Sequence, residues 1–99
     1  MDSNVIERPV LVALRLSEER AAEGYLTARR EMVRLASRVA SIRQLVTERP
    51  MRADYRAALR DAQAAHGAAV QRTGLAYQRW HRAQLRSDAH WTDTAGRAA

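Results

Sequence analysis

The chain has 99 residues, with 17 arginines and no lysine, 11 acids, no cysteine and no phenylalanine, for a net charge of +6. Such a length holds one small domain at most, and a chain this short buries a smaller fraction of its surface than a larger globule, so a partner or self-association is expected. The missing cysteines exclude a disulfide framework and a thiolate metal site, and no apolar run approaches the roughly 20 residues of a bilayer-spanning helix.

Met1 to Pro9 reads as a loose N-terminal arm. Asp2 and Glu7 around its short apolar stretch are the wrong charges for a signal peptide, and the protein is expected to be soluble and cytoplasmic. Residues 10–16 read two ways, as a short strand or as the first turns of a helix carried back through Leu14 and Leu11. Ser17 followed by Glu18 and Glu19 has the form of a helix N-cap with acids in its first turn, whereas the heptad register favours one continuous helix. Gly24 weakens that helix by roughly 1 kcal/mol relative to alanine, and no second breaker accompanies it.

Tyr25, Ala28, Met32, Leu35, Val39, Ile42 and Val46 then follow one another in steps of three and four without an error. This is a helical stripe of about three heptads, made to be buried against another helix. Pro50 ends it, because proline disfavours the α-region at Arg49 and offers no N–H. A turn is therefore placed at 48–52.

A second helix is expected from Ala53 to about Ser87, with Tyr55, Leu59, Ala62, Ala69, Ala76, Trp80 and Ala83 at helical steps. His66 and Thr73 hold two of its steps, and Val70 and Tyr77 lie one residue to the side, so this stripe is expected to drift around the helix. Gly67 and Gly74, seven apart, share one face; they either admit a close neighbour or simply weaken the helix. From Asp88 onward, with Trp91 and Gly96, the chain is read as a tail that frays or docks.

A short connection between long helices makes antiparallel neighbours. The fold class is all-α: an antiparallel αα-hairpin at 10–87, coiled-coil-like, open to forming a bundle with a partner or a second copy. Its helix–helix interface is assigned to Tyr25, Ala28, Met32, Leu35, Val39, Ile42, Val46, Tyr55, Leu59 and Trp80.

Charge is unevenly spread. Residues 1–24 hold Arg8, Arg15 and Arg20 against five acids, Asp2, Glu7, Glu18, Glu19 and Glu23. From Tyr25 to Arg60 nine arginines face only Glu31, Glu48 and Asp54. Arg30, Arg34 and Arg38 are spaced by four, as are Arg52, Arg56 and Arg60, which puts a basic ridge on each helix, read as lying near the hairpin tip. Arg79, Arg82 and Arg86, with Arg72 before them, form a second stretch that meets no acid before Asp88. Such clusters attract an acidic protein face, anionic lipid or nucleic acid; equally, an amphipathic helix needs a solvated face, and arginine is a good helix former.

Enzyme chemistry finds little support. No glycine-rich phosphate loop and no nucleophile motif occurs. The Glu-x-x-His pair of carboxylate-bridged metal bundles is absent, since Gln63, Gln78 and Ser87 stand three residues before His66, His81 and His90. No cofactor, metal or small-molecule substrate is expected. A small arginine-rich nucleic-acid-binding protein is the alternative: Tyr77, Trp80 and Trp91 could stack bases among the arginines, or serve as core or partner contacts.

Several families share parts of this pattern. Residues 10–16 with Ser17-Glu18-Glu19 look like the strand and first cap of a ribbon-helix-helix repressor, but Gly24 comes too early for that fold's turn. Leu35-Ala36-Ser37-Arg38-Val39-Ala40-Ser41-Ile42-Arg43, Asp54-Tyr55-Arg56 and Gln84 resemble all-α chorismate mutases in a degenerate form. Met32 stands where that family has an arginine, no lysine lies near Arg43, and Ala57 replaces an acid. Secreted hairpins of similar length carry a Trp-x-Gly turn, where this chain has Arg49-Pro50-Met51.

The segments Leu14-Arg15-Leu16-Ser17-Glu18-Glu19-Arg20-Ala21-Ala22, Tyr25-Leu26-Thr27-Ala28-Arg29-Arg30-Glu31, Asp54-Tyr55-Arg56-Ala57-Ala58-Leu59 and Arg79-Trp80-His81-Arg82-Ala83 resemble the coiled-coil stalk proteins of flagellar and type III secretion export ATPases. That likeness spans residues 11–86. It implies a hairpin seated in or beside a ring ATPase, its basic ridges on acidic surfaces, with no catalytic residue.

Overall fold

The computed structural model describes the backbone of residues 3–98 and the side chains of residues 9–92. It contains two helices, α1 (Ser3–Glu48) and α2 (Ala53–Ala98), joined into an antiparallel helical hairpin, with no strand among the described residues. Residues 10–16 are helical, and α1 passes through Ser17 and Gly24 without interruption.

Both helices outrun their expected ends. The segment read as an arm is helical from Ser3, Met1 and Asp2 lying outside the described residues. Pro9 sits inside α1; its fixed φ is compatible with a helix, although it has no N–H to give the Val5 carbonyl. The segment read as a tail continues α2 to Ala98, with Ala99 outside the described residues. Beyond Asp88 there is no proline and one glycine, Gly96, so nothing forces an earlier stop.

The helices pack as two units. The first joins residues 26–75 around the turn. Leu35, Val39, Ala62, Ala69 and Thr73 are buried there, and Ala28, Met32, Ile42, Val46, Tyr55, Leu59 and His66 are half-buried. Thr73 fits among apolar neighbours because its Oγ1 donates to the Ala69 carbonyl at 2.8 Å, so the hydroxyl is satisfied within its own helix.

The second unit comprises residues 1–25 and 76–99. Ala83 and Ser87 are buried, and Leu11, Leu14, Glu18, Ala21, Tyr25, Ala76, Trp80 and His90 are half-buried. Aromatic contacts dominate it. The Tyr25 and Trp80 rings stack at 5.5 Å between centroids and 19° between planes, and Tyr77 meets both edge-on, at 5.6 and 6.1 Å. Offset and edge-to-face pairs of this kind add to simple burial.

The stripe on α2 does not drift. Its seam runs through 55, 59, 62, 66, 69, 73, 76, 80, 83, 87 and 90 in steps of three and four, with Ala57, Ala58 and Gln84 half-buried beside it, and Val70 and Tyr77 are exposed. The expectation of drift fails because small and self-satisfied polar residues hold seam positions that apolar counting skips. Alanine recurs every seven residues, at 62, 69, 76 and 83, where it fills little space and lets a facing helix come close. A Cβ added at Gly67 or Gly74 would meet nothing within 4 Å, so neither glycine marks a close approach inside the chain.

Candidate functional site

The turn is built by a few local bonds. Arg49 N–H still bonds the Leu45 carbonyl at 2.9 Å, closing α1, and Arg52 N–H reaches the Arg49 carbonyl at 3.1 Å across Pro50 and Met51. Proline at the second position of a four-residue turn has its φ already set. Arg52 caps α2, its carbonyl accepting from Arg56 N–H at 3.3 Å. The Arg56 guanidinium folds back and donates to the Pro50 carbonyl at 2.8 Å, which ties the start of α2 to the turn.

Arg52 is the most constrained cation. Its Nε and Nη2 donate to Asp54 Oδ1 and Oδ2 at 2.9 and 2.5 Å, a two-pronged pair, and its guanidinium carbon lies 4.0 Å from the centre of the Tyr55 ring. The hydrogen bond from Arg52 holds the Asp54 carboxyl below its ordinary range. Farther along α1, Arg34 grips Glu31 with two bonds of 3.0 and 2.6 Å. That grip, aided by the charges of Arg34 and Arg72, lowers the Glu31 carboxyl as well. Both pairs are exposed, so salt and water weaken them.

The two ridges are unequal, which corrects the expectation that both lie near the tip. At 1.5 Å per residue, Arg60 is about 10 Å along α2 from its first residue, whereas Arg38 and Arg30 stand about 15 and 27 Å back from the end of α1. The tip proper therefore carries Arg49, Arg52, Arg56 and Arg60, with Arg38 behind them. Arg38, Arg49, Arg56 and Arg60 have no ion-pair partner among the described residues, and Arg30 bonds only the Thr27 hydroxyl, at 3.3 Å. Arg79, Arg82 and Arg86 lie exposed on α2 in the other unit.

Sequence reasoning did not single out Met51, which is 87% exposed at the apex of the turn. A methionine set between two turn arginines was the signal available. Leu45, 41% exposed, lies one turn back on α1. Leu35, Arg38, Ala58, Asp61, Ala62 and Ala65 line a shallow depression of ≈ 310 Å³ in the same unit.

Each of the ten residues assigned to the helix–helix interface is placed on a buried or half-buried position, Leu35 and Val39 most deeply. Trp80 is engaged by Tyr25 and Tyr77, whereas Trp91 is exposed, as are Val10, Leu75 and Leu85. No cluster of metal-binding side chains occurs among the described residues. No helix among them is long and apolar enough to cross a membrane.

No family model, no curated protein and no solved structure matches this chain.

Proposed function

We propose that this hairpin is a non-enzymatic protein-interaction module whose basic turn docks on an acidic protein surface, in the manner of the export-ATPase stalk proteins it resembles or of a secretion chaperone. The reading rests above all on the turn region combining Met51, 87% exposed, with Arg49, Arg56 and Arg60, none of which has an ion-pair partner among the described residues. Methionine and arginine together are enriched at protein interfaces, whereas a phosphate backbone needs cations alone. Tyr25 stacks on one face of Trp80, which takes that face from a base.

Fluorescence anisotropy at physiological ionic strength compares the two polyanions. A labelled amphipathic helical peptide rich in glutamate is set against duplex and single-stranded DNA. Binding is expected to be tighter for the peptide and to fall about tenfold in both Arg56→Gln/Arg60→Gln and Met51→Gln. Tighter binding of DNA, insensitive to Met51→Gln and steeply salt-dependent, would favour the nucleic-acid reading instead.

A further inference from the structure

One side of the unit around the turn carries two opposite charges that no neighbour in the chain pairs. Glu31, Arg34, Arg38, Ser41 and Leu45 succeed one another on α1 in steps of three and four, and Asp54, Ala58, Asp61, Ala65, Ala68 and Arg72 do so on α2. Both rows lie within residues 26–75, a single unit. They flank one depression of ≈ 310 Å³, which Arg38 lines from α1 and Asp61 from α2, with Ala58, Ala62 and Ala65 between them. Arg38 and Asp61 are exposed, and neither has an ion-pair partner among the described residues. Arg34 and Asp54, by contrast, are paired inside the chain, with Glu31 and Arg52.

We infer that this face is the interface with a second copy of the chain, the two units stacked face to face with their turns at the same end. A two-fold axis parallel to the helices lays α1 of each copy along α2 of the other. Arg38 and Asp61 share one depression and so stand at one level; the axis therefore sets Arg38 against Asp61 of the second copy, and Asp61 against its Arg38. Counting away from that level along antiparallel helices sets Arg34 against Ala65, Ser41 against Ala58 and Glu31 against Ala68 of the second copy, with its Arg72 one turn farther on. Toward the turn, Leu45 meets Asp54, whose charge Arg52 already holds. No step along the rows brings like charges together.

Other arrangements lack this match. A two-fold axis across the helices at the same level would set Arg38 against Arg38 and Asp61 against Asp61, which like-charge repulsion opposes. The rows on the other side of the seam, through Arg29 and Arg43 on α1 and Arg56 and Val70 on α2, contain no acid, so a second copy finds no counter-charge there. The alanines of the depression leave room for the Arg38 side chain to cross to its partner, and forming the pair twice strands neither charge. Glu31 shows that the rows already act on each other across the groove: its carboxyl is lowered first by the bond from Arg34, and also by the charges of Arg34 and Arg72.

The inference does not rest on the tip reading, and the experiment keeps the two apart. Sedimentation equilibrium of the full chain is expected to show a dimer at about 100 µM. Arg38→Asp and Asp61→Arg alone should each raise its dissociation constant about tenfold or more, and the double variant should restore it. Because the chain has no cysteine, a mixture of Ser41→Cys and Ala58→Cys chains should oxidise to a covalent heterodimer, while neither chain alone should cross-link. Arg38 and Asp61 are exposed, so unchanged helicity by circular dichroism assigns the loss to association. Arg56→Gln/Arg60→Gln should leave the dimer intact while weakening the acidic peptide, so either claim can fail without the other. A monomer at that concentration, a dimer indifferent to the single charge reversals, no rescue in the double variant, or cross-links between identical Ser41→Cys chains in place of the heterodimer would each overturn the inference.

Discussion

Trp80 lies face to face with Tyr25 across the helix pair, 5.5 Å from centroid to centroid, while Tyr77 closes against both rings edge-on. This trio is the bulkiest packing in a unit whose buried side chains are otherwise as small as Ala83 and Ser87. Trp80→Ala should therefore lower unfolding stability by about 2–4 kcal/mol. Urea denaturation followed by far-ultraviolet dichroism measures it; a loss below 1 kcal/mol would mean that the stack is incidental.

Small residues on α2 should respond to enlargement in opposite directions. A side chain at Gly67 or Gly74 meets open space, so Gly67→Ala and Gly74→Ala should each stabilise by about 0.5–1 kcal/mol. Ala69 is 1% exposed, and Ala69→Leu should cost about 1–3 kcal/mol by overpacking. Thermal melts of the three variants test the contrast, and equal shifts would refute it.

Acid should weaken the chain partly through Glu31 and Asp54. Both carboxyls ionise below their ordinary range because Arg34 and Arg52 hydrogen-bond the charged form. The unfolded chain then binds protons first as pH falls. The pairs' contribution is full above the ordinary carboxylate range and is lost as pH drops through the lowered values. Glu31→Gln/Asp54→Asn should flatten the fall in melting temperature between about pH 5 and about pH 3. Because both pairs are exposed, the flattening should be small and should shrink further in high salt.

The turn separates stability from recognition. Arg56 donates to the Pro50 carbonyl, so Arg56→Gln should cost about 0.5–1.5 kcal/mol. Met51 touches solvent on almost every side, and Met51→Gln should leave the melting temperature within about 2 °C of the parent, consistent with a surface substitution. The tip proposal requires the same Met51 change to weaken peptide binding; unaltered affinity would remove the turn apex from the interface.

The long helix α1 and the turn were legible because their signals are local: an errorless three-four stripe and a proline that no helix interior accepts easily. The seam of α2 was harder. Thr73 and Ser87 read as polar, but Thr73 satisfies itself within the helix and both are buried. The outer ends were read too short because Pro9 resembles a stop and the residues after Asp88 lack a strong apolar stripe. At the candidate site, spacing by four revealed the arginine ridges without showing how far each stood from the turn. That distance depends on helix rise as well as sequence order, which sets Arg30 well away from Arg52.

The alanines at 62, 69, 76 and 83 form a ruler with identical marks. Sliding α2 by seven residues would bring alanine back to three of the four places, so these residues support close packing while saying little about which marks should align. The trio of Tyr25, Tyr77 and Trp80 has no copy seven residues away on either helix. Removing it should therefore do more than loosen the pair: it should leave neighbouring alignments closer in energy, and a hairpin with one native register would begin to sample several.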